Sequence, residues 1–173
     1  VGSQTRQGAG SDFLLSVTKR IAESLGFDYA AALADSIAMS FDNAHAVHPN
    51  HPEFSDPTNK TLLGKGIVVK HHANFNYTTD ALSSSILKGV WETNGVKYQD
   101  FYMRSDLPCG GTLGAISSSQ VSVTSIDVGL PQLAMHSACE TAAISDVGEG
   151  IKAVTAFYSV AFSSDGDGKI TVL

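Results

Sequence analysis

The stretch Ser40-Phe-Asp-Asn-Ala-His-Ala-Val-His-Pro-Asn-His-Pro-Glu53 sets two carboxylates and three histidines, His45, His48 and His51, within fourteen residues of a chain in which 16% of residues are charged. Such a set could serve a metal centre or a proton-transfer site, or it could be a solvated loop. His45 and His48 are three apart and Pro49 follows directly. Proline removes a backbone donor and pushes the residue before it toward extended geometry. The stretch therefore does not form the helical H-E-x-x-H arrangement, in which histidines four apart share one helix face. Closed zinc sites favour cysteine and fixed pair spacings that are missing here. The three histidines read better as groups that shape a loop or an interface than as a metal site of their own.

Asp42 stands differently. Ile37-Ala-Met-Ser-Phe41 is a short apolar run expected as a buried strand, which puts Asp42 at the strand's carboxyl end, where open α/β sheets collect their ligands. Its hard oxygen suits zinc, manganese or cobalt; the plainer alternative is a turn or a helix cap. His136 follows a second expected strand, 125–129, so both residues could reach one edge of the sheet, although a lone histidine is more often a satisfied polar group. Cys109, ahead of Gly110-Gly111 and a helix start, occupies a place where thiol pKa falls. With His136 and Asp127 it would complete a Cys-His-Asp set, but these are common residue types and nothing in their spacing brings them together. The same Pro-Cys-Gly-Gly-Thr turn could hold an anion through backbone N–H groups.

The elements that must position these groups follow from periodicity. Apolar residues at helical spacing predict a helix from a Ser11-Asp12 cap to Gly26, and the strand 37–41 gives way to a long polar loop over 43–65. A β-branched strand over 66–70 ends on Lys70, and a helix over 79–93 closes at Asn94-Gly95. A strand over 98–103, a glycine-rich loop over 108–114 and a short helical stretch to Gln120 come next. After the strand 125–129, a helical region opens at 140–143, a longer helix covers 151–161, and the tail holds one short strand. Strands alternating with helices predict an α/β fold with a mostly parallel sheet flanked by helices.

With 173 residues and 43% hydrophobic content, the chain suits one compact domain or a large part of one. A net charge of −6 argues against nucleic acid as a partner. No apolar run approaches the ~20 residues that span a bilayer, and no secretory signal is read at the start, so the expectation is a soluble chain with no membrane partner. Two cysteines thirty apart make no disulfide framework and point to a reducing, cytoplasmic compartment. Val1 in place of methionine, with no element before the first periodicity, predicts a chain whose beginning lies upstream.

Four motifs then come together. Asp42-Asn-Ala-His-Ala-Val-His-Pro-Asn50, Gly64-Lys-Gly-Ile-Val-Val-Lys70, Arg104-Ser-Asp-Leu-Pro-Cys-Gly-Gly-Thr112 and Pro131-Gln-Leu-Ala-Met-His-Ser137, in this order and at these separations, resemble the M18 metallopeptidases, the aspartyl aminopeptidase family. The segment Val1-Gly-Ser-Gln-Thr-Arg-Gln-Gly-Ala is similar to the family's segment following its paired glutamates. The resemblance implies a zinc-aminopeptidase catalytic domain, phosphorylase/hydrolase-like, with two divalent ions, usually zinc, that hydrolyses N-terminal residues, acidic ones above all, from peptides. It also implies Asp42 and His136 as metal ligands, Lys70 as the group recognising an acidic side chain, and His45 and His48 as residues of structure or assembly in a homo-oligomer. The general-base glutamate and the remaining ligands would lie before Val1, and the family's inserted dimerisation domain is absent. Residues 1–173 are thus expected to be the C-terminal portion of one catalytic domain, inactive alone. The alternative from another class is a stand-alone, non-catalytic binding or assembly module that keeps the half-fold.

Overall fold

The computed structural model describes residues 3–165 and 169–173; Val1 and Gly2 of the Val-Gly-Ser match lie outside them. The chain opens with helix α1, Phe13–Ser24. The Ser11 hydroxyl accepts the Phe13 N–H at 3.3 Å, and Gly26, at φ +78°, closes the helix. A second helix that periodicity did not reveal, α2, Tyr29–Ala34, starts where the Asp28 side chain accepts the Ala31 N–H. Helix α3, Ala81–Thr93, begins at a reciprocal cap in which Asp80 and Ser83 bond each other's backbone N–H.

The main sheet contains β1, Ile37–Phe41, β3, Ile67–His71, β4, Tyr98–Tyr102, and β5, Thr124–Gly129, in the order β1-β5-β3-β4. Two of its three pairings, β1 with β5 and β3 with β4, are parallel as expected; β3 runs antiparallel to β5, with Val69 opposite Val128. Inside the long polar loop lies a further strand, β2, Ala44–His45, which pairs with β6, Pro131–Leu133. The helical region expected at 140–143 is instead strand β7, Thr141–Ala142, antiparallel to β6. Its residues complete the small β2-β6-β7 sheet, and the helix expected over 151–161 starts earlier, as α5, Ile144–Tyr158. Short helix α4, Leu113–Ser117, precedes β5, and β8, Phe162–Ser164, pairs with β9, Ile170–Val172.

The two faces of the main sheet differ in chemistry. One carries Ile67, Val69, Ile126 and Val128 against Leu87, Val90 and Trp91 of α3 and Ala153, Ala156 and Phe157 of α5. This is the apolar core, and the Trp91 indole N–H inside it donates to the Ala153 carbonyl at 3.2 Å. The other face pairs Val68 and Phe101 with Ala44 and Tyr77, and it also buries two charged groups, Lys70 and Asp127. Large apolar side chains remain in solvent on α1, including Phe13 and Ile21, and on α5, including Ile144 and Ile151. No helix of the described residues is long and apolar enough to cross a membrane.

Candidate metal centre

The carboxyl ends of β1 and β5 continue into β2 and β6, so the two chains leave the main sheet side by side. Asp42 N–H donates to the Val128 carbonyl, Ala44 N–H to Leu130 and Ala46 N–H to Gln132. Asn43 ties the same corner from its side chain, its Oδ1 accepting the Leu130 N–H at 3.1 Å and its Nδ2 donating to Gln132 Oε1. The approach is so close that a Cβ on Gly129 would lie 1.9 Å from the Asp42 carbonyl oxygen, so no other residue fits that position. The result is that Asp42 leaves β1 at the corner from which the chain runs through β6 to His136.

His136 sits on the turn after β6 in the left-handed region, φ +67°, two residues after Ala134 at φ +55°. A β-carbon disfavours that region, and such residues concentrate where geometry serves a site. The His136 N–H is held by the Glu140 carboxylate. Both candidate ligands face solvent: Asp42 keeps 47% of its side-chain exposure and His136 is exposed.

Lys70, at the end of β3, is buried, with 2% exposure, and is not in the solvated state usual for a strand-end lysine. Its ammonium donates to the Asp42 and Asn43 carbonyls at 3.0 and 3.3 Å, and stands 3.9 Å from Asp42 Oδ2. An ammonium has three donors, so one remains beyond the two carbonyls. The Tyr77 ring centroid lies 5.0 Å away. Burial pushes the Lys70 pKa down, opposed by the charges of Asp42 and Asp127 and by Cys109. Burial also pushes the Tyr77 phenol well up, helped by its hydrogen bond with Cys109.

His45 borders the same corner. Desolvation of its ring, then the positive charge of His136, then that of Lys70, hold its imidazole below the usual value. His48 turns onto its own loop, its Nδ1 accepting the Asn50 N–H at 3.2 Å, and His51 stacks on Phe54. Together with Phe101, Arg104 and Met135 these histidines line a cavity of about 470 Å³.

The Cys-His-Asp set that the residue types alone could have formed does not assemble. Cys109 Sγ bonds Tyr77 Oη and the Gly110 carbonyl, whereas Asp127 bonds Thr78. Both cysteines are free. The residues that sequence reasoning passed over are Tyr77 and the pair Thr78-Thr79, whose only signal was a run of hydroxyl residues ahead of the α3 cap. In donor chemistry, Asp42 and His136 suit zinc, a carboxylate oxygen and an imidazole nitrogen being its common ligands. Among the described residues, however, no three His, Cys, Asp or Glu side chains converge as a metal site would need.

The sequence matches the aminopeptidase I zinc metalloprotease (M18) family over residues 1–158. It is 44% identical to a probable M18 family aminopeptidase 2 of Clostridium novyi, covering 92% of this chain and 38% of that protein. It is 37% identical to a probable aspartyl aminopeptidase of Ricinus communis, covering 99% of this chain and 35% of that protein. The chain thus spans little more than a third of the length of these curated relatives. In structure it resembles the mApe1 dodecamer of S. cerevisiae, with a TM-score of 0.79 at 32% identity over 92% of this chain and 35% of that one. A fold and a sequence that match over nearly the whole chain place it in the M18 family of aminopeptidase I zinc metalloproteases.

Proposed function

We propose that this chain is the C-terminal portion of a two-metal aminopeptidase catalytic domain that removes N-terminal residues, aspartate and glutamate above all, from peptides. One observation carries the reading: β1–β2 and β5–β6 leave the sheet side by side, which sets Asp42, Lys70 and His45 at one corner with His136 on the turn after β6. Asp42 and His136 would each hold a divalent ion, zinc in the first place and manganese or cobalt as alternatives. When bound, the metal pair supplies a Lewis acid and a water activated at neutral pH.

The chain's own residues do the rest of the work assigned to it. Lys70 is fixed from behind by two carbonyls, so its remaining donor is aimed rather than mobile, and it would receive the carboxylate of an acidic substrate side chain as a point charge. The His45 imidazole is held below its usual value by its surroundings, which disfavours a positive charge in a corner meant for cations. His48 holds the 48–51 loop, consistent with a role in structure or assembly. The general base and the remaining ligands would come from residues outside this chain, and the chain alone would not hydrolyse peptides. Exposed apolar residues on α1 and α5 support burial against further polypeptide, and a dodecameric relative supports a homo-oligomer.

Zinc uptake by equilibrium dialysis and elemental analysis tests the reading. The chain should take up zinc weakly, and Asp42→Ala and His136→Ala should each lower that uptake; uptake unchanged in both variants would overturn it. The second reading is a non-catalytic binding or assembly module, which the missing third donor among the described residues favours. It predicts no zinc uptake by the intact chain.

A further inference from the structure

We propose that Asp127 is a positioning residue of this site, fixing through Thr78 and Thr79 the place of Tyr77 over Lys70. This rests on the reading of Lys70 as the substrate-facing cation. Asp127 lies in the central strand β5 and is fully buried. Its Oδ2 accepts both the N–H and the hydroxyl of Thr78, at 2.6 and 2.9 Å. The next residue repeats the attachment in reverse: the Thr79 hydroxyl accepts the Asp127 N–H at 3.0 Å and donates to the Asp127 carbonyl at 3.4 Å. On the other side of Tyr77, Asn76 donates to the Cys109 carbonyl at 3.2 Å, and the Thr112 hydroxyl donates to the Asn76 carbonyl. Tyr77 is therefore pinned at both flanks, to β5 by Asp127 and to the glycine-rich loop by Cys109 and Thr112. Its ring is left 7% exposed between Lys70 and Cys109.

The use of a carboxylate at this point costs stability. Asp127 Oδ1 has no hydrogen-bond partner although it is buried, and a Cβ on Gly114 would lie 2.7 Å from both carboxylate oxygens, so α4 closes directly over the group. A buried, unpaired acceptor is a penalty that folded chains seldom retain without a reason. Asparagine would offer Thr78 the same acceptor without a buried charge. What only the carboxylate supplies is negative charge on the face that buries Lys70, where continuing the β3–β5 register sets Lys70 opposite Asp127.

The two free thiols make the test. Cys109 Sγ lies 3.3 Å from Tyr77 Oη, whereas Cys139 is exposed and serves as an internal reference. Iodoacetamide labelling of the chain, with each cysteine followed by peptide mass spectrometry, gives the Cys109-to-Cys139 rate ratio. Releasing Tyr77 should raise that ratio about tenfold in Asp127→Ala and in Thr78→Val, through local opening. Asp127→Asn, which keeps the acceptor, should stay within about twofold. Phe157→Leu, a buried change in the apolar core on the opposite face of the sheet, should leave the ratio unchanged, which separates positioning from general loosening. If Asp127→Ala does not fold, Thr78→Val carries the result. A ratio unmoved in Thr78→Val, or moved as far by Phe157→Leu, would overturn the proposal. The readout needs no peptide hydrolysis, so its failure and the failure of the aminopeptidase reading are separate events.

Discussion

The carboxylate of Asp146 offers the sharpest test of how the fold delivers Lys70 to the site. It is fully buried in the first turn of α5, and its two oxygens accept one backbone N–H each, from Gly64 at 2.7 Å and from Gly66 at 2.9 Å. Those bonds fix the turn from which β3 starts, and Lys70 is the fourth of that strand's five residues. In Asp146→Asn one oxygen becomes an NH₂ group, so one of the two glycine N–H groups faces a donor. The loss is one hydrogen bond to a charged acceptor, roughly 1.5–3 kcal/mol, plus a few tenths to 1 kcal/mol from removing negative charge at a helix N-terminus. A total of about 2–4 kcal/mol corresponds to a fall of roughly 4–16 °C in Tm for a chain of this size. Circular dichroism melting gives the total, and amide hydrogen exchange should show faster exchange at Gly64 or Gly66 specifically. A Tm within 2 °C of the parent, or exchange at both glycines unchanged, would refute the argument that these two bonds hold the strand's start.

Gly129→Ala should displace the Asp42 main chain, because its Cβ would lie 1.9 Å from that carbonyl oxygen; overpacking of about 1–3 kcal/mol in urea titrations, with loss of zinc uptake, is expected. Asp100 is held below its ordinary carboxylate value by the His71 hydrogen bond first and by Lys88, against opposing burial. Because its pKa is depressed on folding, the stability it contributes is present above its ordinary value of 3.8 and is lost as pH falls through the lower folded value. The stability gap between the parent and Asp100→Asn should accordingly be constant from pH 5 to 6 and shrink below pH 4, and a gap that widens there would contradict the assignment. Asp80→Ala removes the α3 cap and should cost about 1 kcal/mol by thermal melting, with Asp80→Ser retaining most of it.

Much of the fold was legible because its signals are local. The spacing of Phe13, Val17 and Ile21, the β-branched run into Lys70 and the Asn94-Gly95 stop each need only a few neighbouring residues to be read. Helix α2 escaped because six residues show too little periodicity, although Asp28 supplied its cap. The start of α5 was hidden for a different reason. Ile144, Val147 and Ile151 lie on its solvent side, and Gly148 and Gly150 interrupt its first half, Gly150 being placed against Leu130 and Phe41. A helix that exposes its apolar residues does not show the contrast that marks a helix in sequence.

By itself the sequence determined the alternation of strands and helices, the strand end that carries Asp42, and, through four spaced motifs, membership of the M18 family. Only the tertiary structure decided that β3 runs against β5, since side-chain alternation is the same in either direction. It also decided that residues 141–142 extend a sheet instead of a helix, because their partners on β6 lie several residues away through a turn. Above all it decided that Lys70 is buried on two carbonyls and that Asp127, forty-nine residues from Thr78, grips the segment bearing Tyr77. Those contacts join residues far apart in the chain, and their energies depend on burial and on donor geometry, which exist only once the chain has closed on itself.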